Sequence, residues 1–168
     1  MDGLTLVFLY PAVLIVAAFG DILSLRIPNW LSLTLVVWFV VFGVFAGLTM
    51  GVMALRLGLG AAVFLSGFVI YNFGLIGGGD VKLIAGSAIW VGWPDLGIFL
   101  LLVAICGGGL AGVVLIIRKM HVPVPVWISE KQWYVRLTAE GEGIPYGVAI
   151  CIAGLLTFPT TLAGLTNG

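Results

Sequence analysis

Apolar residues run along this chain in long unbroken blocks separated by short polar interruptions, with neither the period of two of a half-buried strand nor the period of about 3.6 of an amphipathic helix. Residues 4–20 carry no charge and, at a rise of about 1.5 Å per residue, make a first helix of about 26 Å, close to the thickness of a hydrocarbon core. Residues 21–29 (Asp-Ile-Leu-Ser-Leu-Arg-Ile-Pro-Asn) read as a tight polar loop, with Asn29 as the expected N-cap of a second helix over 30–50. Arg56 marks the next turn, and 57–74 makes a third helix. Gly77-Gly78-Gly79 then breaks the pattern. The uncharged run 83–94 alone measures only about 18 Å, so the fourth helix is expected to start near Gly79 and to carry Asp80 and Lys82 in its first turn. Residues 96–117 form a fifth helix, and 144–162 a sixth, with Pro145 at its start where the missing N–H costs nothing.

One long polar segment remains, residues 118–143. Its Val-Pro-Val-Pro stretch at 122–125 must be extended. Ser129-Glu130-Lys131-Gln132 has the form of a capping box, and Trp133, Tyr134 and Leu137 would share one face of a short interfacial helix; a plain solvated loop is the alternative. The first twenty residues carry Asp2 and no basic n-region, which reads as a retained helix, not a cleaved signal.

Composition decides the solvent. With 62% of 168 residues apolar and 8% charged, helices that are apolar all round outnumber what a soluble core of this size can bury. The expected fold is an all-α membrane protein, one polytopic bundle of six transmembrane helices spanning residues 1–168. The 25 glycines suit closely approaching membrane helices, and Gly43, Gly47 and Gly51 are expected to form one such stripe. Cys106 and Cys151 lie alone in apolar runs, so neither a zinc site nor a disulfide is expected, and no cofactor. Net charge is zero with no basic run, which argues against a nucleic-acid partner. With six spans, Arg26, Lys82, Arg118, Lys119, Lys131 and Arg136 fall on one side and Arg56 on the other, making the first side cytoplasmic and both termini external.

That topology brings Asp21, after the first helix, and Asp80, at the start of the fourth, to one membrane boundary. Acidic side chains at membrane depth are costly and usually face a bundle interior or a cavity. Paired carboxyls suit peptide hydrolysis: two close like charges do not both ionise easily, so one proton is shared, the ionised member activates water and the protonated one polarises the scissile carbonyl. A helix terminus at Asp21 and a helix cap at Asp80 are the plainer readings. The glycine run is a turn, a close helix contact, or a path by which a substrate backbone reaches the carboxyl. Lys82 and Arg26 read as lipid-interface anchors or as supports of the site. His121, Asp2, Asp95, Glu140 and Glu142 are assigned to solvent. A proton-coupled transporter or channel using the same two acids stands as an alternative, against which both acids lie near a boundary instead of the midplane. A purely structural subunit is a third reading.

Asp21 with Arg26-Ile27-Pro28-Asn29, followed by Gly77-Gly78-Gly79-Asp80-Val81-Lys82-Leu83, resembles the type IV prepilin peptidases, membrane aspartyl proteases of the Gly-x-Gly-Asp class. Ile144-Pro145-Tyr146-Gly147-Val148-Ala149 also resembles the start of the last helix in the short, peptidase-only members of tight-adherence (Flp-type) pilus systems. The resemblance implies a peptidase of the inner membrane in pilus biogenesis. It would remove the basic leader of a prepilin or pseudopilin at the cytoplasmic face, just before the substrate's hydrophobic helix. Asp21 and Asp80 match the catalytic positions, with Gly77, Gly78, Gly79, Lys82, Arg26, Pro28, Asn29 and Tyr146 as supporting residues. The larger members that also methylate carry a domain with paired Cys-x-x-Cys motifs; this chain has neither, so N-methylation has no support in its residues.

Overall fold

In the computed structural model, which describes residues 6–120, 125–139 and 142–166, the apolar runs become helices and no strand forms among the described residues. In chain order they are α1 (Leu9–Ser24), α2 (Asn29–Phe45), α3 (Met50–Asn72), α4 (Gly78–Val91), α5 (Trp93–Met120), the short α6 (Val126–Ser129) and α7 (Gln132–Thr138), and α8 (Tyr146–Thr166). Three stretches, Met50–Asn72, Trp93–Met120 and Tyr146–Leu165, are long and apolar enough to cross a membrane, and α1 and α2 are shorter apolar helices. Leu55, Leu65, Ile98, Leu101 and Ile105 point outward from α3 and α5, a surface that water would not tolerate and acyl chains would.

Packing explains how a helix as short as α4 belongs to this set. Its 14 residues reach only about 21 Å, yet every residue from Leu83 to Val91 is buried. Helices α2, α3, α5 and α8 all pack on it, while α8 also joins α1 to α5. A helix apolar on every face is stable only when enclosed in this way. Close approach helps: a methyl group added at Gly60 of α3 would run into the side chain of Ile89 on α4.

Several expected boundaries move, each for a local reason. Helix α1 runs on through Asp21 to Ser24 and ends where Leu25 turns left-handed at φ 51°, its N–H returning to the Asp21 carbonyl at 2.8 Å. Pro28, extended, holds the N-cap position of α2, so Asn29 is its first residue and not its cap. Gly47, at φ +71°, stops α2 early, and Thr49 caps α3 by accepting from the Val52 N–H at 3.4 Å. Gly43, Gly47 and Gly51 therefore fall on a helix, a turn and the next helix, not on one stripe. Arg56 lies inside α3 instead of marking a turn. Lys131, not Ser129, holds the N-cap position of α7, and no side chain caps that end. Asp2, His121, Glu140 and residues 122–124 lie outside the described residues.

Candidate active site

The last turn of α1 carries Asp21, which is only 4% exposed. Its Oδ2 accepts a hydrogen bond of 2.6 Å from the backbone N–H of Gly147, in the first turn of α8. The first N–H groups of a helix have no partner of their own, and the helix dipole places partial positive charge there. A carboxyl group from α1 is thus held by the N-terminus of α8. Gly147 must lack a side chain for this: a Cβ there would stand 2.9 Å from Oδ2 and 3.2 Å from Cγ of Asp21.

Asp80 is held by the same physics on its own helix. Gly77 occupies the N-cap position of α4, extended at φ −71°, ψ 142°, which places Asp80 three residues in. From that position the carboxyl folds back to accept from the Gly77 backbone N–H, as the acidic member of a capping box does. A Cβ on Gly77 would stand 2.6 Å from Asp80 Oδ2, so the fold-back requires glycine. Asp80 is 9% exposed, and the Asp21 carboxyl is near enough to act on it electrostatically.

Both carboxyls line one open cavity of about 700 Å³. Its walls come from the α1–α2 loop (Leu25, Arg26, Ile27), the segment leading into the first turn of α4 (Gly74 to Gly79) and the start of α8 with its approach (Glu142, Gly143, Ile144, Tyr146). Of the residues singled out in the sequence, Asp21, Asp80, Gly77, Gly78, Gly79, Arg26 and Tyr146 meet here. Pro28, Asn29 and Lys82 do not line it; Lys82 Nζ instead donates to Asn29 Oδ1 at 2.8 Å, tying α4 to α2. Arg118, at the end of α5, fastens the outer wall by donating to the carbonyls of Leu137 (2.8 Å) and Gly143 (3.0 Å).

Two participants escaped the sequence reading. Glu142, assigned to solvent, is exposed but lines the cavity. Gly147 supplies the amide that holds Asp21; a glycine two residues after a helix-starting proline was the available signal, since it marks an unpaired N–H with no side chain in the way. No group of three potential metal ligands gathers among the described residues. Chemically, two buried carboxyls facing one water-accessible space can take a proton from water and return it.

A model of the type IV leader peptidase family matches residues 8–112, a stretch that holds both carboxyls and the glycine turn. No curated protein and no solved structure matches the chain.

Proposed function

Since the match covers more than half of its length, the chain belongs to the type IV leader peptidase family, and from that premise we propose that it is a membrane aspartyl endopeptidase with Asp21 and Asp80 as its catalytic pair. The observation that carries this reading is the shared cavity: two acids from different helices, each held at a helix N-terminus, face one space large enough for an extended peptide and a water molecule.

The pair holds one proton between its two carboxyls. The ionised carboxylate removes a proton from water as the oxygen attacks the scissile carbonyl carbon, and the protonated carboxyl gives its proton to the carbonyl oxygen. The product of this step is a tetrahedral diol with the protons of the pair exchanged. In the second step the newly protonated carboxyl donates to the amide nitrogen, the C–N bond breaks, and the other carboxylate takes back a hydroxyl proton. A new carboxylic acid and a free amine leave, and the pair returns to its starting state.

The substrate is the basic leader of a prepilin-like protein, cut where the leader meets an apolar helix. The glycine turn leaves the backbone path to Asp80 free of side chains, and Tyr146 and Arg26 border the space the peptide would fill. The cavity faces the cytoplasm: it opens beside Arg26 and is walled by the segment whose Gly143 carbonyl Arg118 holds, while Arg56 lies at the far end of α4. Six crossings, with α4 as a short enclosed span, fit this arrangement.

Co-expression with a prepilin substrate tests the reading. Leader removal is expected from the native chain and from neither Asp21→Asn nor Asp80→Asn, with both variants still in the membrane. Cleavage near the native rate in either one removes that residue from the chemistry.

A further inference from the structure

Helices α3 and α5 both pack on α4 but make no extensive contact with each other. The gap between them is an apolar groove of about 330 Å³, floored by Val81 and Ile84 of α4 and walled by Ala62 and Ser66 of α3 and by Leu96 of α5. It runs from Ile76 and Ile70 at one end to Leu59 and Trp93 at the other; the eleven residue steps from Leu59 to Ile70 correspond to about 16 Å of helix, half the depth of a hydrocarbon core. Ala62 and Ser66 are exposed and one helical turn apart, and small residues so placed let a second helix approach closely. The Ser66 hydroxyl donates to the Ala62 carbonyl at 2.9 Å, so the wall offers no unsatisfied donor to an apolar guest.

Ile76 lines both this groove and the cavity of the two aspartates. The groove on the other flank of α3, between α2 and α3, has about 380 Å³ but shares no lining residue with that cavity. Its wall contains the hydrogen-bonded Lys82 and Asn29, and a peptide with a basic leader would meet the Lys82 cation there.

Resting on the peptidase reading above, we propose that the α3–α5 groove seats the apolar helix of the substrate, with its first turn at Ile76, so that the peptide bond just before that helix reaches Asp21 and Asp80. Lateral diffusion in the bilayer would deliver the helix to the open side of the groove. The groove supplies position and the carboxyls supply chemistry.

A photo-reactive phenylalanine in place of Ser66, in membranes that also hold a full-length prepilin, is expected to form an adduct with the prepilin helix, while the same group in place of Ala61, on the α2–α3 flank, is not. In parallel, Ala62→Leu and Ser66→Leu should lower cleavage of full-length prepilin by about tenfold or more and leave cleavage of a short soluble peptide across the same bond unchanged. Adducts at Ala61 equal to those at Ser66, adducts with lipid alone, or an equal loss on both substrates would overturn the assignment. Should the native chain cleave neither substrate, the catalytic reading fails, and the adducts still decide the groove.

Discussion

The two ends of α4 are built from the same helix to opposite purposes. At its C-terminal end Trp90, with no exposed surface, stacks on Tyr10 at 5.6 Å, meets Phe39 edge-on at 5.6 Å and Phe42 at 5.5 Å, and donates its indole N–H to the Leu35 carbonyl at 3.0 Å. Arg56 closes that end, its Nη1 donating to the carbonyls of Trp90 (2.6 Å) and Ile89 (3.4 Å), where a cation complements the dipole. At the N-terminal end, about 21 Å away, glycines replace bulky residues, a cavity replaces packing, and two carboxyls sit where hydrocarbon would be cheaper. One end holds the bundle together and the other, on the function proposed above, gives up part of that stability for a reactive arrangement. Substitutions at the two ends should therefore separate activity from stability.

The largest separation is expected from the aspartates. Asp21→Asn or Asp80→Asn keeps the shape and removes an ionisable group, so leader cleavage should fall by about 10³-fold or more, while the unfolding midpoint in detergent holds or rises. A drop in stability as large as the drop in rate would erase the contrast between the ends. Trp90→Ala is the reverse case: deleting an enclosed aromatic together with its hydrogen bond to the Leu35 carbonyl should cost about 3–5 kcal/mol. Molecules that remain folded should cleave at close to the native rate, as active-site titration of the folded fraction would reveal.

Arg56→Met comes next. It keeps the apolar stem of the side chain and leaves two helix-terminal carbonyls without their cation, for an expected loss of about 2 kcal/mol seen as a lower midpoint, with kcat unchanged. Gly147→Ala sharpens the other side. Its Cβ would press on the Asp21 carboxyl, so the carboxyl must shift by some tenths of an ångström; kcat should fall by about tenfold with KM little altered. A fall in KM-dependent binding alone would mean that Gly147 serves the substrate and not the orientation of Asp21.

Much of this contrast was legible in the residues. Unbroken apolar runs give helices because a helix satisfies its own backbone groups in lipid within a single segment, and the start of α4 near Gly79 followed from the shortness of the run behind it. Asp21 and Asp80 could be matched because the expected topology puts an odd number of crossings before each. Arg56 was not legible, because a lone cation in an apolar run looks like a turn until the carbonyls of Ile89 and Trp90, more than thirty residues on, are seen to receive it. Gly147 was hidden for the same reason: its amide matters only once Asp21 arrives from α1. Ends of helices, too, were set by single φ angles at Leu25 and Gly47 that hydropathy does not record.

Lys82 marks where the chemical end of α4 stops, and it offers the smallest expected effect. It follows Asp80 by two residues, yet it lines the α2–α3 groove and not the carboxyl cavity, and its ammonium is engaged with Asn29 Oδ1 at 2.8 Å. The bond is exposed to solvent, so its net worth is about 1 kcal/mol or less, water being ready to replace either partner. Lys82→Met preserves the stem against the groove, and Asn29→Ala removes the acceptor; a double-mutant cycle on the unfolding midpoint should return a coupling of that size, with kcat unmoved in all three variants. The loss should not grow when both are changed, since each single substitution already breaks the bond. If Lys82→Met lowers kcat tenfold with stability intact, the ammonium acts on the carboxyl pair through the field across the first turn of α4, and the boundary between the reactive and the structural end must be drawn at least one turn further along the helix.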